Sequence, residues 1–139
     1  MRTGVRIMDA MTKKPVCASP DISVQDAAKL MRKRHVGSLL ITEKNKLLGV
    51  FTEHDIVRML AIDANIKKTK TSDLMNKKIV SIGPNADLYE AMVLMNREDI
   101  RRLPVMLNER CIGLITLKDI LKIQPTLLEL VVDKIKLRH

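Results

Sequence analysis

Aromatic residues are nearly absent from this chain, which has one Phe, one Tyr and no Trp among 139 residues. Proteins that grip single-stranded nucleic acid stack successive bases on aromatic side chains, so this composition argues against that mode of binding. Hydrophobic residues still make up 46% of the sequence. The predicted core is therefore aliphatic, with the nine methionines as adaptable filler.

The chain also lacks the patterns of disulfide, metal and membrane proteins. Cys17 and Cys111 lie far apart and form no Cys-x-x-Cys pair, and the three histidines share no metal-ligand spacing. We therefore expect two reduced thiols and no metal site. No apolar run approaches the roughly 18 residues of a membrane span. The N-terminus lacks the apolar segment of a secretory signal, so a cytoplasmic protein is predicted.

The formal net charge is +9, and the Lys and Arg residues are spread along the whole chain. A basic excess suits nucleic acids, membrane headgroups or small phosphorylated ligands, and does not choose among them. The densest run is Arg32, Lys33 and Arg34, at the end of a predicted helix, where the helix dipole favours cations. We interpret this run as a solvated helix end, with a docking patch as the alternative.

The sequence repeats itself at a distance of 64 residues. Residues 11–59 align without a gap on residues 75–123, and 13 of the 49 pairs are identical. The closest match is GVFTEHDI at 49–56 against GLITLKDI at 113–120. A unit of roughly 50 residues rarely buries enough apolar surface to fold alone. The pattern therefore predicts two pseudo-symmetric halves that share a core.

Each repeat is predicted to be an α+β unit of order β-α-β-β-α. Ser23 and Asp87 have the residue types and positions of helix N-caps. Two short apolar runs with a polar loop between them indicate paired strands, and a second helix follows Thr52 and Thr116. The apolar stripes of the first helices consist of Val24, Ala27, Ala28 and Met31, and of Leu88, Ala91, Met92 and Met95.

The predicted boundaries follow the repeat. Residues 1–62 form the first repeat with a short helical lead-in, 63–70 a polar linker, 71–124 the second repeat with its own lead-in, and 125–139 a C-terminal helix. The apolar face of this last helix is expected to pack on the parent domain or on a second subunit, which favours a homodimer. That face consists of Leu127, Leu128, Leu130, Val131, Val132 and Ile135.

The repeated Thr-x-x-Asp phrase has two physical interpretations. Thr52 at an N-cap leaves backbone N–H groups at the helix start, which is a natural seat for a phosphate. Asp55, three residues later, can accept hydrogen bonds from a vicinal diol such as a ribose. The alternative is a plain capping box, in which the acid reaches back to the cap N–H. Gly49, inside the preceding strand, allows another backbone or a ligand to come close.

The repeats resemble a tandem pair of cystathionine-β-synthase (CBS) domains, the Bateman module, of the stand-alone prokaryotic type. The resemblance rests on the β-α-β-β-α order, on the lead-ins MDAM at 8–11 and SDLM at 72–75, and on the two Gly-x-x-Thr-x-x-Asp-Ile phrases. It extends over about residues 5–122. It implies two repeats packed sheet to sheet, with clefts between them that bind AMP, ADP, ATP or S-adenosylmethionine as regulatory ligands.

By this resemblance, each cleft takes its Thr and Asp from one copy and its base-contacting residues from the other. The acid would hold the ribose hydroxyls, and the Thr with the arginines would hold phosphate. The first cleft would consist of Thr52, Asp55, Asn76, Ile79, Ser81, Ile100, Arg101 and Arg102. The second cleft would consist of Thr116, Asp119, Thr12, Pro15, Cys17, Val36, Gly37 and Ser38.

The two clefts are predicted to differ, because Arg101 and Arg102 align with Gly37 and Ser38. Arginine offers a charge-assisted grip on phosphate that Gly and Ser do not replace. The first cleft is therefore expected to favour a phosphorylated ligand. The second is expected to bind weakly, to prefer a less charged ligand such as S-adenosylmethionine, or to stay empty. A solvated strand edge is the alternative for the two arginines.

The sequence thus predicts a non-enzymatic sensor of adenosine-containing ligands that needs no other cofactor and acts on an unknown protein partner. An enzyme is not expected, because we find no nucleophile–base pair. The alternative function is a nucleic-acid-binding protein that uses the basic surface. Only the charge and the lysines of the 63–70 linker support it, because no nucleic-acid-binding signature is present.

Overall fold

The architecture comes from a computed structural model, which describes residues 2–130. The strands are β1 (Thr12–Lys13), β2 (Cys17–Ala18), β3 (Ser38–Glu43), β4 (Lys46–Thr52), β5 (Arg102–Leu107) and β6 (Arg110–Thr116). The helices are α1 (Ile7–Ala10), α2 (Val24–Arg34), α3 (Glu53–Ala61), α4 (Leu88–Glu98) and α5 (Leu117–Ile123), with 3-10 turns at Thr71–Asp73 and Pro125–Leu130. No helix within the described residues is long and apolar enough to cross a membrane.

The chain divides into two compact units. The first unit is Pro15–Ile79, and the second unit combines Met1–Lys14 with Val80–His139. The first unit has a three-stranded sheet in the order β2-β3-β4, and the second has one in the order β1-β6-β5. The α+β class predicted from the sequence is confirmed. The predicted β-α-β-β-α order is complete in the first repeat, whereas in the second repeat its first strand is only an isolated bridge between Ile82 and Val105.

The apolar face of the first helix in each repeat forms the core of its unit. In the second unit Leu88, Ala91, Met92 and Met95 are all buried, as predicted. In the first unit Val24, Ala27 and Met31 are buried against β3 and β4, whereas Ala28 is only half-buried. Phe51 is fully buried in that cluster, so one of the two aromatic side chains serves as core.

The predicted N-caps are present at both first helices. Ser23 Oγ accepts a hydrogen bond from the Asp26 N–H at 3.0 Å. Asp87 Oδ1 accepts one from the Tyr89 N–H at 2.9 Å. A capping side chain satisfies an N–H group that has no partner inside the helix, which explains why each helix begins at these positions.

Each lead-in packs on the unit of the other repeat, and not on the repeat that follows it in sequence. The sequence places α1 with the first repeat, but Ile7 is buried in the core of the second unit, and β1 pairs with β6. Conversely, the lead-in of the second repeat belongs to the first unit, where Asn76 pairs with Val50 in β4. Each sheet therefore gains an edge segment that lies just before the other repeat in sequence.

The predicted C-terminal helix is described only in part. Pro125–Leu130 is a 3-10 turn, and Leu127 is buried in the core of the second unit. Leu127 therefore packs on the parent domain, which is one of the two partners expected for the apolar face. The other predicted positions, Val131, Val132 and Ile135, lie outside the described residues.

Asp87 holds the N-terminal segment as well as its own helix. Its carboxylate accepts hydrogen bonds from the Thr3 N–H, the Thr3 hydroxyl and the Gly4 N–H at 3.0, 2.7 and 2.8 Å. Desolvation opposes its ionisation, but these bonds and the one from Tyr89 outweigh it and lower the pKa of Asp87 to about 2. The ionised carboxylate therefore stabilises the start of the chain.

We expect Asp87→Ala to lower the free energy of unfolding by about 2 kcal/mol at pH 7, the upper end of N-cap losses. The folded pKa lies below the ordinary value of 3.8. The stabilisation is therefore present above about pH 4 and disappears as the pH falls toward about 2. Urea titrations at pH 7 and near pH 2.5 should show that the difference between parent and variant shrinks in acid.

Ser23→Ala is the matched control, because it removes one cap bond and no carboxylate. We expect it to cost about 1 kcal/mol, with the same cost at both pH values. A cost of Asp87→Ala that does not change with pH would contradict the role given to the ionised carboxylate.

Thr71 occupies the position equivalent to Ile7, and it is fully buried. Its hydroxyl has no hydrogen-bond partner within the described residues.

We expect Thr71→Val to raise the free energy of unfolding by about 1–2 kcal/mol, because a buried hydroxyl without a partner is costly and valine has nearly the same shape. Thr69→Val should instead lose about 0.5–1 kcal/mol, since the Thr69 hydroxyl donates to the Asn65 carbonyl at 2.8 Å. A loss for Thr71→Val in urea titrations would show that its hydroxyl has a stabilising partner.

Candidate functional site

Both copies of the repeated phrase lie at a strand-to-helix junction. Thr52 ends β4 and caps α3, and Thr116 ends β6 and caps α5. The first backbone N–H of each helix is already used, because Glu53 donates to the Gly37 carbonyl at 3.2 Å and Leu117 donates to the Arg101 carbonyl at 2.8 Å. These bonds fix each helix entrance to the loop that precedes the neighbouring strand of the same unit.

Both acids form the capping box that the sequence left as an alternative. Asp55 Oδ2 accepts from the Thr52 N–H at 2.8 Å. Asp119 Oδ2 accepts from the Thr116 N–H at 3.1 Å, and Thr116 Oγ1 accepts from the Asp119 N–H at 3.1 Å. An ionised carboxylate has two oxygens and about four acceptor positions. The cap therefore uses one oxygen of each acid and leaves the other for a second partner.

The second oxygen differs between the two copies. Asp55 is 8% exposed, and its Oδ1 accepts a hydrogen bond from Arg58 Nη2 at 2.7 Å. Asp119 is half-buried, and its Oδ1 has no partner within the described residues. The position equivalent to Arg58 is Lys122, which forms no ion pair with Asp119 there. In the first unit both oxygens of the acid thus have a partner, whereas in the second unit one oxygen of the acid has none within the described residues.

The strand glycine of the repeated phrase serves a backbone contact. A Cβ built on Gly49 would lie 2.8 Å from the Asn76 carbonyl oxygen, and one built on Gly113 would lie 3.0 Å from the Thr12 carbonyl oxygen and would collide with Met11. Of the two roles considered for Gly49, close approach of another backbone is therefore the one observed. The contact brings Asn76 beside the strand that leads to Thr52, and Thr12 beside the strand that leads to Thr116.

The second unit has a cavity of about 500 Å³ at its helix entrance. Every charged side chain that lines it is basic. It is lined by Arg101, Arg102, Thr116, Leu117, Lys118, Leu121 and Lys122. The resemblance grouped Arg101 and Arg102 with Thr52. That grouping stays a prediction; inside this unit the two arginines line the cavity together with Thr116. Sequence reasoning missed Lys118 and Lys122, although their spacing of two and six residues after Thr116 was a usable signal.

The first unit has a cavity of about 410 Å³ beside the start of α3, and its charge is mixed. Val36, Gly37 and Glu53 line it together with Arg32 and His35. The acidic Glu53 stands where the second unit has the neutral Leu117. The two entrances therefore present different electrostatics to a ligand.

The remaining predicted residues are spread over both units. Ile79 and Ser81 are exposed, Pro15 and Ile100 are half-buried, and Ser38 is buried at the start of β3. Desolvation raises the pKa of the Cys17 thiol, although its hydrogen bond with Thr42 acts in the opposite direction. Such a thiol stays protonated near neutral pH. Among residues 2–130, no three His, Cys, Asp or Glu side chains converge into a metal site.

Comparison with known proteins gives a consistent family. The sequence model of the CBS domain matches residues 7–62 and again residues 72–125. The CBS domain-containing protein YhcV of Bacillus subtilis is 32% identical, over 82% of this chain and 81% of YhcV. Inosine-5′-monophosphate dehydrogenase of Methanocaldococcus jannaschii is 34% identical over 82% of this chain, but the match covers only 22% of that enzyme.

Solved structures agree with the sequence comparison. One similar structure is the CBS domain pair of protein MJ0100 in complex with 5′-methylthioadenosine and S-adenosyl-L-methionine. Its TM-score is 0.80 at 25% identity, and the likeness covers 88% of this chain and 97% of that one. Two family matches, the duplicated topology and the duplicated Thr-x-x-Asp caps lead to one conclusion: the chain belongs to the CBS domain family and carries two CBS repeats in tandem.

Proposed function

We propose that this protein is a cytoplasmic, non-catalytic sensor that binds an adenosine-containing ligand and transmits its occupancy to a protein partner. The adenosine ligands in the MJ0100 complex support the ligand class. The duplicated Thr-x-x-Asp entrances support the location. Within this class, AMP, ADP and ATP are the ligands that the charge of this chain fits best.

The observation that carries the choice of nucleotide is the cavity of the second unit. Its volume of about 500 Å³ falls in the usual range for small-molecule sites. Its charged lining residues are Arg101, Arg102, Lys118 and Lys122, without a neighbouring acid in the lining. Such a cluster favours the phosphates of a nucleotide and disfavours the sulfonium cation of S-adenosylmethionine.

The open oxygen of Asp119 completes this assignment. A ribose offers two neighbouring hydroxyls as donors, and Asp119 Oδ1 is an acceptor without a partner in the described residues, in the first turn of the helix that Thr116 caps. The cap held by Asp119 Oδ2 fixes the orientation of the carboxylate, so ligand binding does not require it to leave the helix start. We therefore rank the entrance at Thr116 above the entrance at Thr52 for a phosphorylated ligand.

The first unit supports a weaker or less charged ligand. Glu53 lines its cavity, and the negative charge of Glu53 repels phosphate. In addition, both oxygens of Asp55 already accept a hydrogen bond, one from Thr52 and one from Arg58. The inequality of the two sites predicted from the sequence is retained in this proposal. The phosphate preference moves to the unit that contains Arg101 and Arg102.

We expect ATP to stabilise the protein in a thermal-shift assay and the double variant Arg101→Gln/Lys118→Gln to lose about half of that gain or more. Each hydrogen bond to a charged group contributes roughly 1.5–3 kcal/mol, so the variant should bind ATP at least ten-fold more weakly. At a ligand concentration of 100 times the parent Kd, a ten-fold loss reduces the stabilisation from about 2.7 to about 1.4 kcal/mol. Adenosine, which lacks phosphate, should stabilise the parent and the double variant equally.

The matched control is Lys33→Gln/Arg34→Gln, which removes the same charge from the exposed end of α2. It should leave the ATP response unchanged. A similar loss of stabilisation by ATP in both double variants would show that ATP binding depends only on the net charge of the protein. The absence of any response to ATP, AMP, adenosine or S-adenosylmethionine in the parent would overturn the ligand class.

We also propose that the protein forms a homodimer through the C-terminal half of α3. Val57, Leu60 and Ile62 are 63%, 57% and 66% exposed, which is unusual for neighbouring large apolar side chains. Val57 and Leu60 are three residues apart and therefore lie on one face of α3, and exposed apolar surface is typical of interaction sites. A second copy of the chain is the partner that this proposal assigns to it.

We expect Val57→Glu/Leu60→Glu to convert the dimer to a monomer in light scattering, because two charges would be desolvated in the contact. Val93→Glu, a comparable change at a 42% exposed position on α4, should leave the mass unchanged. A parent protein that is already monomeric, or a double variant that keeps the dimer mass, would contradict this interface.

A further inference from the structure

Arg58 makes two contacts that its counterpart in the second repeat does not make. Its Nη2 atom donates to Asp55 Oδ1 at 2.7 Å, and the same atom donates to the Leu74 carbonyl at 3.4 Å. Asp55 is nearly buried, with a side chain only 12% exposed, whereas the Arg58 side chain is 59% exposed. The contact therefore places a solvent-accessible cation on the oxygen of Asp55 that the cap does not use.

The second repeat provides an internal comparison. Lys122 stands 64 residues after Arg58 and follows Asp119 by the same three positions. Within the described residues it donates neither to Asp119 nor to a backbone carbonyl. Arginine reaches further and has a planar fork of donors, whereas the lysine ammonium remains readily hydrated. The two repeats thus differ at this position: a cation binds the second oxygen of Asp55, and none binds that of Asp119 within the described residues.

We propose that Arg58 is a displaceable latch that controls access of a ligand diol to Asp55. This inference rests on the proposed function, since it assumes that the ligand carries a vicinal diol. In the closed state Arg58 occupies Asp55 Oδ1 while Thr52 occupies Oδ2. A ribose binds to Asp55 only when its hydroxyls replace the guanidinium. Arg58 is therefore the residue that makes the first entrance more selective than the second.

Displacement of Arg58 would also affect the lead-in of the second repeat, because Arg58 donates a hydrogen bond to the Leu74 carbonyl in that segment. Leu74 belongs to the turn that begins at Thr71, and the Leu74 and Met75 N–H groups both donate to the Thr71 carbonyl. The next residue, Asn76, exchanges two backbone hydrogen bonds with Val50 in β4, at 3.2 and 3.1 Å. Release of the Leu74 carbonyl loosens one end of this short segment. The latch thus couples occupancy at Asp55 to the order of residues 71–76.

The test uses Arg58→Met and its matched control Arg34→Met, at an exposed arginine at the end of α2 that lines neither cavity. Both substitutions replace an exposed cation by an uncharged side chain, but only the first removes a bond to the acid. Adenosine and 2′-deoxyadenosine serve as probes in titration calorimetry, because both are uncharged and only adenosine has the diol. We expect Arg58→Met to bind adenosine about two- to five-fold more tightly, the range set by an exposed ion pair, and 2′-deoxyadenosine with unchanged affinity.

Hydrogen exchange provides a readout without ligand. In Arg58→Met the amides of Met75 and Asn76 should exchange faster than in the parent. In Arg34→Met both nucleoside affinities and these exchange rates should stay at parent values. Circular dichroism should confirm that both variants are folded. Arg58→Lys, which keeps the charge, should behave like Arg58→Met if the guanidinium itself forms the latch.

The outcomes separate the latch from the function on which it rests. If the parent prefers adenosine to 2′-deoxyadenosine but Arg58→Met leaves that preference unchanged, the latch is wrong and the proposed function stands. If Arg58→Met and Arg34→Met change adenosine binding equally, net charge explains the effect and the latch is wrong. If the parent binds neither nucleoside, the proposed function fails and the latch fails with it.

Discussion

Each unit depends on the close approach of an edge segment to a glycine in its last strand. Thr12 reaches β6 at Gly113, and Asn76 reaches β4 at Gly49, at distances that leave no room for a Cβ atom. In both units the paired segment precedes the other repeat in sequence. Neither repeat therefore completes its sheet from its own residues. This exchange is a physical reason for the duplication, beyond the small apolar core of a 50-residue unit.

The same contact positions the candidate site, because the glycine lies three residues before the Thr that caps the next helix. At that cap a single carboxylate serves two purposes. One oxygen holds the helix start, which restrains the acid, and the other is left to a ligand or to Arg58. The capping and ligand-binding interpretations of Thr-x-x-Asp are therefore compatible. An acid already oriented by its cap loses less conformational freedom when a ligand arrives.

Sequence patterns predicted the parts of the fold that depend on local chemistry. The N-caps at Ser23 and Asp87 and the apolar stripe of α4 follow from short-range rules. The exchange of lead-ins was not predicted, because it pairs residues about 100 positions apart, such as Thr12 and Leu114. Gly49 carried a hint of it, since a glycine inside a strand indicates close approach. The latch at Asp55 was also missed, because it depends on the rotamer of Arg58 and not on the residue type alone.

The two repeats have diverged at their Thr-x-x-Asp caps. A ligand shifts a conformational equilibrium only if it binds one state better than another. In the second unit one oxygen of Asp119 has no partner within the described residues, and the nearby cavity has a basic lining. In the first unit Arg58 contacts both Asp55 and the Leu74 carbonyl. Under the proposed function, a ligand at Asp55 would compete with Arg58 for the same oxygen, and this competition would supply the difference in affinity between two states that regulation requires.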